Sequence, residues 1–360
     1  MAECLKLGAV GIGNAWKALH SKTLLEHPEV EILGVCDIRP ERAESFARQH
    51  GIRHVCTDFK HLLALPSLDA IDICTPNVSH SEIALAALTA GKHVFTEKPE
   101  AIDPISARRM ADAARQNGKV LMAMRNNRFG PAIQFLWKYV ESGQLGEVYT
   151  GRCGWIRRRG IPGSGGWFTT REESGGGPLI DLGIHMIDLA TWLMGNPVPA
   201  AVTGATYCKF AGTSLSDSAH SDFGERRSEG TFNVEDLATG FVRFQNQATL
   251  QIECSWASNI QEEQNFVELR GTKGGFSWRN GQLTIFTEIE GTLCDIIPKT
   301  PPPDGAHGRN LHHFIDVVRG RAKPIWQSEQ GIRVLEILHA LYESAGTGCE
   351  VSMGSRALSR

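Results

Sequence analysis

The sequence predicts an α/β protein, with an N-terminal Rossmann domain followed by an α+β domain built on a large, mostly antiparallel open sheet. Three observations carry this expectation. Over residues 1–125, short apolar runs alternate with amphipathic stretches. The first run closes on a tight glycine turn, Gly11-Ile12-Gly13. Beyond about residue 150, strand-like runs follow one another with only turn residues between them. A length of 360 residues suits two domains, drawn at 1–125 and 126–360, and the closing helices of the second can pack back on the first.

In the first domain the apolar runs are Leu5–Val10, Ile32–Cys36, Ala70–Cys74, Val94–Thr96 and Val120–Met124. Helix-like segments lie between them at Ala15–Glu26, Pro40–His50, His80–Ala90 and Ile105–Asn117. Gly51, Gly91 and Gly118 stand where helix C-caps are expected. Strand and helix in alternation imply parallel βαβ units with both sheet faces covered. In the second domain, two glycine-rich stretches lead into an apolar helix over Leu179–Leu193. Runs at Ala201–Tyr207, Ala238–Phe244, Ala248–Trp256, Asn265–Arg270 and Leu283–Thr287 read as strands. Residues 211–230 read as a long polar surface loop, and Arg309–Arg319 and Ser328–Ala345 as closing helices.

Composition excludes several function classes. A net charge of -3 gives no nucleic-acid footprint. No apolar run is long enough for a membrane span, and the first residues lack the pattern of a signal peptide, so a cytoplasmic protein is expected. The nine cysteines are scattered without a CxxC pair, which favours reduced thiols and gives little support to a metal site.

The glycine turn continues as Asn14-Ala15-Trp16, the start of a helix whose N-terminus can receive a pyrophosphate. Trp16 stands where a third small residue is usual. The second strand ends at Asp37-Ile38-Arg39. An acid at that point can accept hydrogen bonds from both ribose hydroxyls and repels a 2′-phosphate, which favours NAD over NADP. The other reading of Asp37 is a charge at the N-terminus of the helix opened by Pro40.

Further along stand Cys74-Thr75-Pro76-Asn77 with His80, then Glu97-Lys98-Pro99, then Gly175-Gly176-Gly177-Pro178-Leu179-Ile180-Asp181-Leu182-Gly183-Ile184-His185. In this order and spacing, together with Phe314, Val318-Arg319-Gly320, Tyr342, Ser344 and Gly348 near the end, the chain resembles the Gfo/Idh/MocA oxidoreductases. The resemblance covers nearly the whole chain. Its departures are Trp16 and the loop at 211–230.

Oxidising a secondary alcohol needs a hydride acceptor, a base for the hydroxyl proton, and donors that steady the oxygen. Lys98 follows an apolar strand, at the sheet end where α/β folds bind ligands. Asp181 and His185 are four apart and share a helix face. The resemblance makes Lys98 and His185 the proton-handling groups and Asp181 a substrate ligand or partner of His185. On the residues alone, a solvated lysine and a helix-surface ion pair remain open. Thr75, Pro76, Asn77 and Glu97 are expected on the cofactor side, and the resemblance adds Asn126 there. His80 contacts the cofactor or caps its helix. Arg128 is equally readable as a domain-linking ion pair, and Asp188 as structural.

Arg157-Arg158-Arg159 is unusual. Alternation would turn Arg157 and Arg159 to one side, where they could bind an anionic or heavily hydroxylated sugar. A basic strand edge is the competing reading. Trp155 and Trp167 can stack on a sugar face or serve as core aromatics. The reading reached is an NAD-dependent dehydrogenase of a sugar, glycoside or cyclic polyol, assembled as a homodimer or homotetramer. A redox-neutral NAD-dependent glycosidase and an NAD-binding regulator are the competitors.

Overall fold

The structure, a computed structural model, describes residues 4–211, 224, 226–302 and 304–354. The chain divides into two compact units, 1–126 with 305–332, and 127–304 with 333–360.

The first unit is built on six parallel strands: β1 (Leu5–Val10), β2 (Val30–Cys36), β3 (His54–Cys56), β4 (Ala70–Ile73), β5 (His93–Thr96) and β6 (Leu121–Ala123). Their order is β3-β2-β1-β4-β5-β6, so the chain direction switches sides between β1 and β4. β1 is held on both sides, with Val10 opposite Cys36 and Ile73. Leu5, Leu7 and Ala9 enter a core shared with Trp16, Phe46 and Phe95. Leu311, Phe314 and Ile315 of the helix Ala306–Val318 complete that core, which is why residues from the end of the chain belong to this unit. Gly51, Gly91 and Gly118 end their helices at positive φ, as expected.

β3 and the short helix Phe59–Leu63 escaped the sequence reading because both are too short to show a period. The first helix differs in a more useful way. It runs over Asn14–Glu26, but Lys17–Ser21 is a π-helical turn. A π turn inserts one residue and shifts every later side chain around the axis.

The second unit carries a nine-stranded mixed sheet: β7 (Val148–Ile156), β8 (Pro199–Tyr207), β9 (Leu237–Phe244), β10 (Thr249–Ser255), β11 (Gln264–Gly271), β12 (Gly274–Arg279), β13 (Gln282–Ile289), β14 (Thr292–Ile296) and β15 (Val351–Ser352). The order is β14-β13-β12-β11-β7-β10-β9-β8-β15, with β7 and β10 parallel and the other pairs antiparallel. Gly271–Gly275, read as a turn, holds the Thr272-Lys273 bend between β11 and β12, with Gly271 ending the first strand and Gly274 opening the second. Helix Pro131–Glu141 was not expected either. The helix expected at Leu179–Leu193 is a π turn over Leu179–Gly183 followed by an α-helix over Ile184–Leu193.

Residues 212–223 and 225 of the expected loop lie outside the described residues. Its far end docks on the glycine-rich loop, where Arg227 N–H donates to the Ser164 carbonyl at 2.9 Å. Among the described residues no helix is long and apolar enough to cross a membrane.

Candidate functional site

In the first unit, Gly11 is fixed by the fold itself. Its φ is +89°, and a Cβ there would lie 2.5 Å from the Cys74 carbonyl oxygen. Gly13 differs: φ is -79° and a Cβ would meet nothing within 4 Å. Packing does not require that glycine, whereas a pyrophosphate approaching the backbone of Asn14, Ala15 and Trp16 would. Asp37 is buried, and its carboxylate accepts the Ile12 and Arg39 amides, each at 2.9 Å. It therefore ties the glycine turn to the end of β2, while Ile38 is fully outside and Arg39 half-buried. These residues fit a dinucleotide.

Two side chains expected at the cofactor turn elsewhere. Trp16 is fully buried, and its indole N–H donates to Asp72 Oδ2 at 2.7 Å. Only its backbone remains for a pyrophosphate. His80 is also fully buried, with Nδ1 2.7 Å from the Pro99 carbonyl and Nε2 2.8 Å from that of Thr75. Burial lowers its pKa, and the two carbonyls oppose that shift. It joins the Thr75 turn to the Pro99 turn rather than facing a ligand.

Thr75, Pro76, Glu97, Lys98 and Asn126 are half-buried, and Asn77 is buried. Glu97 Oε2 accepts the Lys98 backbone amide at 3.0 Å, and Oε1 lies 2.9 Å from His20 Nε2. The other side of that ring meets Asp72 at 2.9 Å. Sequence reasoning missed His20 and Asp72. The signal for Asp72 was present, because an acid inside the apolar run Ala70–Cys74 has to be paired when buried.

In the second unit, the helix entry is clamped from below. Buried Glu235 accepts the Gly177 amide at 3.0 Å, the Leu179 amide at 3.1 Å and the Tyr342 hydroxyl at 2.8 Å. Burial raises its pKa, and these hydrogen bonds oppose the rise. A Cβ on Gly177 would lie 2.0 Å from the Glu235 carbonyl oxygen, and one on Gly176 would lie 2.1 Å from the Tyr342 hydroxyl. The glycine run thus exists so that Glu235 and Tyr342 can hold the turn that aims Asp181 and His185.

Asp181 and His185 are both half-buried. Asp181 Oδ2 accepts the indole N–H of buried Trp256 at 2.9 Å. The His185 ring lies 6.0 Å from that of Trp155. Around them, Ile161, Leu182, Val234 and Trp256 form an apolar cluster with Trp155 and Phe168 against it. Trp167 stacks on Phe168 with ring centres 3.8 Å apart.

The arginine run does not alternate as expected, because β7 ends at Ile156, before it begins. Arg157 is buried; its guanidinium sits 5.3 Å from the Trp155 ring, and Nη1 donates to the Gly160 carbonyl at 3.1 Å. Among the described residues its Nε has no hydrogen-bond partner. Burial lowers its pKa, while Asp181 and Glu263 favour its charge. Arg159 donates instead to the Ser258 carbonyl and to Asn259, each at 2.8 Å, and lies over Phe210. Only Arg157 therefore belongs to the Asp181 cluster.

Arg128, readable as a domain-linking ion pair, has its pair with Asp188, inside this unit. It is buried, and the pair is two-pronged, at 2.8 and 2.7 Å. Among the described residues, no group of three or more His, Cys, Asp or Glu side chains is placed to hold a metal ion.

Residues 5–124 match a family model described as an oxidoreductase family with an NAD-binding Rossmann fold. Residues 133–277 match the GFO/IDH/MocA C-terminal domain. The chain is 36% identical over 350 residues to D-glucoside 3-dehydrogenase of Escherichia coli (strain K12), covering 97% of each chain. Among solved structures it is similar to levoglucosan dehydrogenase in complex with NADH, with a TM-score of 0.82, 24% identity, and 97% and 99% of the two chains covered. It is also similar to GenD2 from gentamicin A biosynthesis in complex with NAD, with a TM-score of 0.78, 26% identity, and 99% and 98% covered.

Proposed function

This chain belongs to the Gfo/Idh/MocA family of NAD-binding oxidoreductases, and we propose that within it the protein oxidises a ring hydroxyl of a glucoside or closely related sugar. The observation that carries the proposal is the 36% identity with D-glucoside 3-dehydrogenase over 97% of both chains. The second unit supports it with one acid, one imidazole and one buried guanidinium set among indole rings.

A bound nicotinamide supplies the hydride acceptor. In this reading Gly11, Gly13 and the amides after them hold the pyrophosphate, and Asp37 takes the adenosine ribose. Thr75, Pro76, Asn77 and Asn126 line the nicotinamide side. Lys98 and His185 take the hydroxyl proton as the carbinol hydrogen leaves with its electron pair, which leaves a ketone. Asp181 holds a neighbouring hydroxyl, and Arg157 donates its Nε–H to a sugar oxygen. The likeness to a D-glucoside dehydrogenase favours a neutral sugar over an anionic one. Exposed Ile289, Leu293 and Ile297 on and beside β13 and β14 suit a contact between copies, checked by sedimentation.

The test is incubation with NAD and a panel of alkyl and aryl glucosides, free aldoses, inositols and uronic acids, following NADH absorbance and aglycone release together. Glucoside-dependent NADH without aglycone is expected. Aglycone release without NADH would replace the dehydrogenase by a redox-neutral glycosidase, and NADH only with uronic acids would overturn the neutral-sugar assignment.

A further inference from the structure

The buried charges beneath Lys98 form a chain that the reaction outlined above does not use. Trp16 donates to Asp72, Asp72 meets His20, His20 meets Glu97, and Glu97 accepts the Lys98 amide, at 2.7, 2.9, 2.9 and 3.0 Å. His20 and Asp72 are wholly buried, and the Glu97 side chain is 13% exposed.

We infer that His20 is a positioning residue, an imidazolium clamped between Asp72 and Glu97 that fixes the Glu97 carboxylate and through it the backbone of Lys98.

Carboxylates only accept hydrogen bonds, so a ring with one on each nitrogen satisfies both by donating from both, which requires its charged form. Burial opposes that charge, but Asp72 and then Glu97 outweigh burial and push the His20 pKa up to about 10. Burial would raise the Glu97 pKa, and the hydrogen bond from His20 with the charges of His20, Lys98 and His307 brings it below the usual carboxylate range. The groups facing the clamp are Trp16 and His20 from the first helix, Asp72 from β4, Cys74 beyond it, Glu97 and Lys98 beyond β5, and His307 from the helix Ala306–Val318. Phe95 closes the remaining side, its ring 6.0 Å from the imidazole.

Trp16 and His20 are four residues apart on the first helix, so they share a face and converge on one carboxylate. The large residue in the glycine turn and the buried histidine are thus two parts of one device. Net charge supports the assignment as well: two carboxylates without His20 would leave two negative charges, one of them wholly buried, with Lys98 as the nearby strong cation.

The linkage to stability has a definite sign. A folded pKa near 10 against an ordinary 6.5 contributes stability fully below pH 6.5 that is lost as pH rises towards 10. Chemical denaturation of the wild type should show that alkaline decline, and His20→Gln should flatten it.

The kinetic part rests on Lys98 being catalytic, so the experiment separates the two. Ring nitrogen NMR of the whole protein labelled with 15N-histidine is expected to show one histidine doubly protonated at about pH 8.5, where ordinary histidines are neutral. That signal should vanish in His20→Gln; finding every ring neutral would overturn the clamp. His20→Gln should lower kcat on the order of tenfold to a hundredfold through misplacement of Lys98, with NAD affinity changed less than about threefold. The acid limb of its pH–rate profile should move up by about one unit, because Glu97 then holds its remaining cationic neighbours more tightly. Asp72→Asn keeps the shape and should shift the same readouts less, which serves if His20→Gln does not fold. Wild-type kcat and pH profile in a folded variant would overturn the positioning role. A wild type that oxidises no sugar would defeat the proposed function, while the NMR signal would still decide the clamp.

Discussion

Each unit follows a glycine turn with a helix that contains one π-helical turn, and the two turns do opposite things. Lys17–Ser21 directs His20 inward, where two carboxylates consume its charge. Leu179–Gly183 leaves Asp181 half-buried, and His185 follows it half-buried among indole rings. The glycines differ in the same sense. Gly176 and Gly177 are demanded by Tyr342 and Glu235, whereas Gly13 faces open space. A π turn, like a glycine, is therefore no mark of a ligand site by itself; what surrounds the displaced residue decides its use.

The largest effects should come from the half-exposed groups. His185→Asn and Lys98→Met should each lower kcat by about 10²–10⁴-fold while leaving the thermal midpoint within about 2 °C. Retention of more than half the activity by either would break the division between groups that do chemistry and groups that hold them. Next comes the contrast between the glycines. Gly177→Ala sets a Cβ 2.0 Å from a backbone oxygen and should destabilise the protein by about 3 kcal/mol in denaturant titration. Gly13→Ala should leave stability within about 1 kcal/mol and weaken NAD binding. Equal destabilisation by both would erase the distinction.

The first unit was largely legible in the sequence because its signals are local. A β-strand, a glycine turn and an acid at the next strand end lie within Leu5–Asp37, and Lys98 lies two residues beyond β5. The clamp under Lys98 was not legible, because His20 reaches Asp72 from 52 residues away. In the second unit, Asp181 and His185 stood out by spacing, but their supports did not. Trp256 lies 75 residues from Asp181, and Tyr342 lies 107 from Glu235, pairings that only the folded chain creates. The arginine run misled because turning Arg157 and Arg159 to one side needs a regular strand or extended loop there, and β7 ends at Ile156.

A smaller effect tests the cofactor turn. Asp37 already serves the Ile12 and Arg39 amides, so Asp37→Ser removes a tie within the fold and, in the proposed reading, a ribose acceptor. The ratio of kcat/KM for NAD over NADP should fall about tenfold or more, as a lost charge–phosphate repulsion would dictate. An unchanged ratio would leave Asp37 as a purely structural acid.

The smallest effect separates two arginines that the sequence made equivalent. Arg159 is engaged by Ser258, Asn259 and the Phe210 ring, so Arg159→Ala should change the sugar KM by less than about twofold. Arg157 is buried beside Trp155 with an Nε that no described residue accepts. Arg157→Lys keeps the charge and removes the fixed donor fork, and should raise the sugar KM about tenfold, the value of one charge-assisted hydrogen bond to a neutral oxygen. If the two variants gave equal KM values, the Nε–H would be satisfied by water in the free and bound protein alike. The second unit would then recognise its sugar through Asp181 and the indole rings alone.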